Sequence, residues 1–154
     1  MNEPKKIASF TVNHDTLTEG VYVSRIDGDI TTYDIRTRVP NGGDYMDNLT
    51  MHSLEHMFAT YVRSSEIGER VIYFGPMGCQ TGFYLLVRDA DNAESLAVIK
   101  SVLERIVNHD GEMFGNTKRE CGNYKNLDLD AAKREAKRLL DYLTTHENTF
   151  VYKP

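Results

Sequence analysis

The sequence has no long apolar run and no cluster of basic residues. No segment approaches the ~20 apolar residues that a membrane-spanning helix requires, and no apolar stretch typical of a signal peptide follows the N-terminal residues. The net charge of −5 argues against non-specific binding to nucleic acid or anionic membranes, because such binding normally requires a basic surface. These absences predict a cytoplasmic protein without a nucleic-acid or membrane partner.

Cysteine is also scarce, and nucleotide-binding motifs and internal repeats are absent. Cys79 and Cys121 are the two cysteines, and in a reducing cytosol metal binding or catalysis is a more common use of a thiol than a disulfide. Without a nucleotide motif, no organic cofactor is implied. An apolar fraction of 40% over 154 residues is enough for one ordinary core, which predicts a single domain at 1–154.

Hydrophobic periodicity predicts the order strand-strand, helix, strand-strand, helix, loop, helix. Period-two segments at 21–39 and 71–87 indicate two hairpins, with Cys79 in the turn region of the second hairpin. Helical patterns begin near Asp44 or Asp47, at Asp91, and at Asp128 or Asp130. Hairpins separated by helices favour an α+β fold, in which an antiparallel sheet carries the helices on one face as an α/β sandwich.

The first helix contains the HxxEH motif at 52–56, where His52 and His56 lie four residues apart. Residues at this spacing share a helix face, so both imidazoles can point at one site with Glu55 beside it. The apolar stripe of this helix lies on the opposite side, which argues against a pair of core histidines. Two alternatives remain: a pair of solvated histidines, or half of a metal site with a potential general base.

A metal site would need a third ligand, and the residues alone do not choose between Cys79 and Cys121. The thiol left over would lie near the positive charge of the metal, which favours its thiolate form. Metal, thiolate and carboxylate together suit proton transfers next to a carbonyl group, through an enediolate. Elsewhere, His14 is typical of a solvated histidine, and Arg36 of either an exposed strand residue or a clamp for an anion or hydroxyl group.

Five sets of residues along the sequence form a characteristic combination: Ser9-Phe10 with His14, Tyr33-Asp34-Ile35-Arg36, His52-Ser53-Leu54-Glu55-His56, Gly75-Pro76-Met77-Gly78-Cys79-Gln80-Thr81-Gly82 and Glu120-Cys121-Gly122. Taken together, these segments closely resemble the S-ribosylhomocysteine lyase (LuxS) family over nearly the whole chain. HxxEH also occurs in a class of metallopeptidases, but the combination of segments in this order is highly specific. One departure is Tyr73, which stands where many family members carry an acidic residue.

The resemblance implies one divalent metal per subunit, bound by His52, His56 and Cys121. Fe(II) is the usual ion of the family, and Zn(II) or Co(II) can substitute for it. By the same resemblance, Cys79 is the catalytic thiolate and Glu55 is the second acid/base.

The resemblance also implies a substrate and a homodimer. Ser9, His14 and Arg36 would contact the ribosyl hydroxyls in a pocket that the partner subunit completes. The implied reaction cleaves S-ribosylhomocysteine to homocysteine and 4,5-dihydroxy-2,3-pentanedione, the precursor of the quorum-sensing signal autoinducer-2. It proceeds by migration of the carbonyl group and β-elimination.

Two other classes of function compete with the lyase. An HxxEH metallopeptidase would need a third ligand, normally a glutamate on a later helix, and a substrate cleft for which this chain is short. A non-catalytic module stapled by zinc would have a closed site with four ligands. That reading explains neither Glu55 nor the glycines that flank Cys79.

Overall fold

The two hairpins combine into one four-stranded antiparallel sheet. The computed structural model describes residues 3–154, so residues 1 and 2 of the predicted domain lie outside it. Because β2 pairs with β4, the spatial order is β1-β2-β4-β3 and the hairpins join through their second strands. The strands are β1 (Gly20–Asp27), β2 (Ile30–Arg36), β3 (Val71–Pro76) and β4 (Gly82–Arg88).

In the described part of the chain, three amphipathic α-helices follow the order that the sequence predicts: α1 (Asn48–Arg63), α2 (Asn92–Val107) and α3 (Leu129–Thr145). An aspartate caps each helix, because the side chains of Asp47, Asp91 and Asp128 accept hydrogen bonds from backbone N–H groups of the first turn. The α+β prediction is confirmed. Within residues 3–154, no helix has the length and apolar character needed to cross a membrane.

The core lies between these helices and one face of the sheet. Successive strand residues point to opposite faces, so every second side chain of β2 and β4 enters the core. The sheet contributes Val21, Tyr33, Ile35, Phe83, Leu85 and Val87. The helix α1 contributes the predicted stripe of Leu54, Met57, Phe58 and Val62, whereas Tyr61 is half-buried. His52 and His56 lie outside this stripe and are half-buried.

The other face of the sheet is less exposed than its polar pattern predicts. The strand β2 ends at Arg36 and not at Val39, and both Asp34 and Arg36 are buried, at 1% and 3% exposure. The C-terminal segment lies over this face, since the Tyr152 hydroxyl donates to Asp34 Oδ2 at 2.7 Å and its ring stacks on Tyr22 with ring centroids 4.9 Å apart. The interpretation of Arg36 as an ordinary exposed strand residue is therefore wrong.

The last helix carries a buried charge within its apolar face. Glu135 is 3% exposed and accepts hydrogen bonds from Arg38 Nε at 3.0 Å and Nη2 at 2.6 Å. A buried carboxylate without a partner would be strongly destabilising. The ion pair therefore fixes α3 against the segment that follows β2.

Candidate active site

A cluster of three potential metal ligands forms where α1 meets the loop before α3. The ligand atoms of His52, His56 and Cys121 all lie within 4.8 Å of one another. His52 Nε2 lies 3.4 Å from Cys121 Sγ. The structure thus brings together the three residues that the family resemblance implies as ligands, although 69 positions separate the thiol from His52.

Backbone carbonyl groups orient both imidazole rings in this cluster. His52 Nδ1 lies 2.7 Å from the carbonyl oxygen of Asn126, and His56 Nδ1 lies 2.9 Å from that of Phe114. A carbonyl oxygen can only accept, so each Nδ1 carries the proton and each Nε2 keeps a free lone pair. Metal-binding histidines typically have such a partner. Two imidazole nitrogens and one thiolate fit a divalent ion such as zinc or iron, with one coordination position left open.

The loop that orients His56 approaches the ring closely because residue 115 is glycine. A Cβ atom on Gly115 would lie 2.9 Å from His56 Nδ1, and the φ angle of Gly115 is +66°. His109 anchors the same loop, since its Nε2 lies 2.8 Å from the Glu112 carbonyl oxygen and its Nδ1 lies 2.6 Å from the Tyr61 hydroxyl. The sequence did not predict this role of Gly115, because a single glycine in a loop does not by itself indicate a contact with a histidine ring.

A second group of candidate residues lines a cavity of about 390 Å³ beside the β3–β4 connection. Ser9, His14, Arg36 and Cys79 all line it, so the implied substrate-binding residues share one cavity with the implied catalytic thiolate. Cys79 is exposed, and neither cysteine is in a disulfide. Phe10, at the same cavity, is 68% exposed.

Arg36 links Cys79 to buried polar partners. Its Nε and Nη2 donate to the two carboxylate oxygens of Asp34, at 3.1 and 2.6 Å. Its Nη1 donates to Thr81 Oγ1 at 2.8 Å and lies 3.9 Å from Cys79 Sγ. Burial alone would lower the pKa of Arg36, but the charge and hydrogen bonds of Asp34 outweigh it and the pKa is raised. Arg36 therefore places a buried positive charge near the sulfur.

Thr81 provides the nearest hydrogen-bond donor to the sulfur. Its Oγ1 lies 3.0 Å from Cys79 Sγ, and the residue is 2% exposed. Because Arg36 can only donate, Thr81 Oγ1 accepts that bond and its own hydrogen is free to point at the sulfur. Thr81 belongs to one of the segments that resemble the family, but a threonine at this position does not by itself predict a contact with the Cys79 sulfur.

Glu55 lies in a different cavity from Cys79. It lines a space of about 290 Å³ together with His52, whereas Pro76 lines both this space and the Cys79 cavity. One chain therefore holds Glu55 beside the ligand cluster, and holds the thiol separately beside Ser9, His14 and Arg36. Within residues 3–154, Cys79 and Glu55 therefore line two different cavities, and Pro76 lines both of them.

Comparisons with known proteins find similarity over almost the full length. The family model of S-ribosylhomocysteinase (LuxS) matches residues 7–150. A protein named S-ribosylhomocysteine lyase from Borreliella burgdorferi is 41% identical over 145 residues, covering 90% of this chain and 92% of the relative. One of the same name from Clostridium acetobutylicum is 43% identical over 149 residues, covering 91% and 94%. Another, from Finegoldia magna, is 42% identical over 143 residues, covering 90% and 91%.

The contact between Gly115 and His56 predicts that Gly115→Ala weakens metal binding. The added methyl group would displace His56 from the carbonyl group that orients it, and loss of such an outer contact typically costs about 10- to 100-fold in metal affinity. Competition with a chelator measures this effect. Gly28→Ala is the matched control, because Gly28 has a φ of +60° and no atom near its Cβ position. Equal metal affinity in the two variants would contradict the prediction.

Proposed function

The chain belongs to the S-ribosylhomocysteine lyase (LuxS) family of carbon-sulfur lyases, and we propose that it cleaves S-ribosylhomocysteine in a metal-dependent reaction. The products are homocysteine and 4,5-dihydroxy-2,3-pentanedione, the precursor of autoinducer-2. The observation that carries the proposal is the combination of a His-His-Cys cluster with an exposed thiol held near Arg36 and Thr81.

The metal site consists of His52, His56 and Cys121. Fe(II) is the native ion in this proposal, as the family resemblance implies, with Zn(II) or Co(II) as substitutes. A bound divalent ion supplies Lewis acidity toward an oxygen of the sugar. The two Nδ1–H groups are already used by backbone carbonyls, so the Nε2 lone pairs and the thiolate are the groups that the chain offers to the ion.

Substrate binding is assigned to Ser9, His14 and Arg36. His14 Nδ1 lies 2.9 Å from the Val12 carbonyl oxygen, so Nδ1 carries the proton and Nε2 can accept a hydrogen bond from a sugar hydroxyl. The Ser9 hydroxyl both donates and accepts, and the Arg36 guanidinium donates. The cavity therefore offers both kinds of partner to a polyhydroxylated substrate.

Proton transfer is assigned to Cys79 and Glu55. The Cys79 thiolate, stabilised by Arg36 and Thr81, takes a proton from the carbon beside the carbonyl group, and Glu55 exchanges protons on the other side of the substrate. Two rounds of proton removal and return through enediolates, from C2 to C1 and then from C3 to C2, move the carbonyl from C1 to C3. The C5–S bond is then β to the carbonyl, so loss of the proton at C4 expels homocysteine thiolate, and the resulting enol takes up a proton at C5 to give the dione. No external oxidant or reductant is needed.

A homodimer would unite the two halves of the site. Cys79 and Glu55 line separate cavities within one chain, and large apolar side chains around the Cys79 cavity are exposed. Phe10, at the Cys79 cavity, is 68% exposed, and Ile7 and Tyr73, in the neighbouring cavity, are 58% and 51% exposed. In this proposal a second copy covers these side chains and places its ligand cluster opposite the Cys79 cavity.

The rival functions fit the geometry less well. A metallopeptidase of the HxxEH type would complete its site with a glutamate, whereas here Cys121 joins the two histidines. A zinc-stapled module has no use for an exposed thiol supported by Arg36 and Thr81. Release of peptide fragments without release of free thiol would favour the peptidase.

Substitution of each cysteine separates the two thiols. Cys79→Ala should keep its metal and lose turnover by several orders of magnitude, because the ligand cluster is intact but the proton acceptor is gone. Cys121→Ala should lose most of its metal, because one of three ligands is removed. Metal analysis and a colorimetric assay of thiol release from S-ribosylhomocysteine measure the two effects. Metal loss in Cys79→Ala would show that the roles are exchanged.

Replacement of the carboxylate tests the second acid/base. Glu55→Gln should fold and bind metal but slow turnover about 10²- to 10⁴-fold, the usual contribution of one general acid/base. Glu104→Gln, an exposed position on α2, is the control and should retain full activity. Near-normal turnover in Glu55→Gln would remove Glu55 from the mechanism.

Mixed dimers test whether one site uses residues of both subunits. The Cys79→Ala subunit has an intact ligand cluster, and the Cys121→Ala subunit has an intact thiol cavity. In a mixed dimer these two intact halves face each other and form one complete site, while the other site carries both substitutions. Random mixing after denaturation and refolding should restore about one quarter of wild-type activity, since half of the dimers are mixed and each has one good site of two.

The control for this experiment is a mixture of Glu55→Gln and Cys121→Ala. Both substitutions damage the same half of the site, so this mixture should stay inactive. If mass spectrometry shows mixed dimers of Cys79→Ala and Cys121→Ala but no thiol is released, the shared site is refuted.

A further inference from the structure

The C-terminal segment is hydrogen-bonded along β1 and crosses to the outer face of the sheet, which carries Asp34 and Arg36. Asn148 makes two hydrogen bonds with Val21, in which its Oδ1 accepts from the backbone N–H and its Nδ2 donates to the carbonyl, both at 2.9 Å. Val23 N–H then donates to the Phe150 carbonyl oxygen at 2.9 Å. Phe150 has a φ of +65°, a left-handed conformation uncommon outside glycine. Phe150 thus packs against the core while Tyr152 reaches the opposite face.

Tyr152 ends this path on the carboxylate that holds Arg36. Its hydroxyl donates to Asp34 Oδ2 at 2.7 Å, and its ring stacks on Tyr22. Burial, followed by the charge of Asp34, raises the pKa of Tyr152 far above its usual value. The hydroxyl therefore stays protonated and serves as a constant donor to Asp34.

Asp34 in turn determines where the Arg36 guanidinium lies. Two nitrogens of Arg36 bind the carboxylate, and the third donates to Thr81, which contacts Cys79 Sγ. Asp34, Arg36 and Thr81 are all at most 3% exposed. A continuous chain of hydrogen bonds therefore runs from Tyr152 to the thiol.

We propose that Tyr152 is a positioning residue for the Cys79 cavity, because its hydrogen bond to Asp34 fixes the carboxylate that holds Arg36 against Thr81 and Cys79. Removal of the Tyr152 hydroxyl changes the surroundings of the Cys79 sulfur in two ways that act in the same direction. Arg36 is held less firmly near Cys79, and Asp34 keeps more of its negative charge. Both effects disfavour the thiolate. The inference rests on the proposed function only in taking Cys79 as the catalytic thiolate.

The test is Tyr152→Phe, which keeps the ring and its stacking but removes the hydroxyl. The rate of alkylation by iodoacetamide at pH 7 reports the thiolate form of each cysteine, and peptide mass spectrometry separates Cys79 from Cys121. Alkylation of Cys79 should slow roughly tenfold, the effect expected for loss of one hydrogen bond to a charged group. Alkylation of Cys121 should not change, so each sample contains its own control.

Tyr142→Phe is the matched control, because Tyr142 also stacks on a neighbouring ring but lies on α3, against His146. It should leave both alkylation rates unchanged. An unchanged Cys79 rate in Tyr152→Phe would overturn the proposal, as would an equal fall at both cysteines, which indicates general loosening. A further variant, Tyr152→Ala, separates the ring from the hydroxyl: if it alone slows Cys79, stacking acts and the proposal fails.

This experiment needs no substrate, so it distinguishes the two proposals. If the wild-type protein released no thiol from S-ribosylhomocysteine, the lyase function would fail, yet the alkylation rates would still decide the role of Tyr152. If thiol release is normal and Tyr152→Phe reduces turnover together with Cys79 alkylation, the positioning role is supported.

Discussion

Burying a charged pair costs desolvation free energy that is recovered only when its donors and acceptors are used. Asp34 and Arg36 lie under this constraint on the outer face of the sheet, and much of the Cys79 cavity follows from it. Arg36 uses three nitrogens on Asp34 and Thr81, and Tyr152 occupies a further site on Asp34. These bonds hold the guanidinium in place, with Nη1 at 3.9 Å from the exposed sulfur of Cys79.

The ligand cluster is organised on a different principle. Helix geometry aligns His52 and His56, but backbone carbonyls of Asn126 and Phe114 select the tautomer and orientation of each ring. These carbonyls belong to irregular segments whose side chains give no hint of the role. Gly115 contributes through the absence of a side chain. The cluster therefore depends on loop conformation as much as on the HxxEH motif.

Most of the fold could be predicted from local patterns. The alternation in β2 and the aspartate caps of the helices identified the elements in the right order, because these signals act within a few residues of the chain. The exposure of the polar face of β2 could not be predicted in this way. Its cover, Tyr152, lies 118 residues beyond Asp34, and no periodicity of the strand itself encodes that contact.

Residue types and their local spacing define the available chemistry: two histidines and a carboxylate on one helix, and two thiols between which local spacing did not choose. The packing of the chain places these groups in two sets. Cys121 lies beside the histidines, whereas Cys79 lies with Ser9, His14 and Arg36 in a separate cavity. The physical reason is that helical spacing is a property of adjacent residues. The position of a thiol relative to a distant helix, by contrast, depends on how the sheet, the loops and the C-terminal segment pack together.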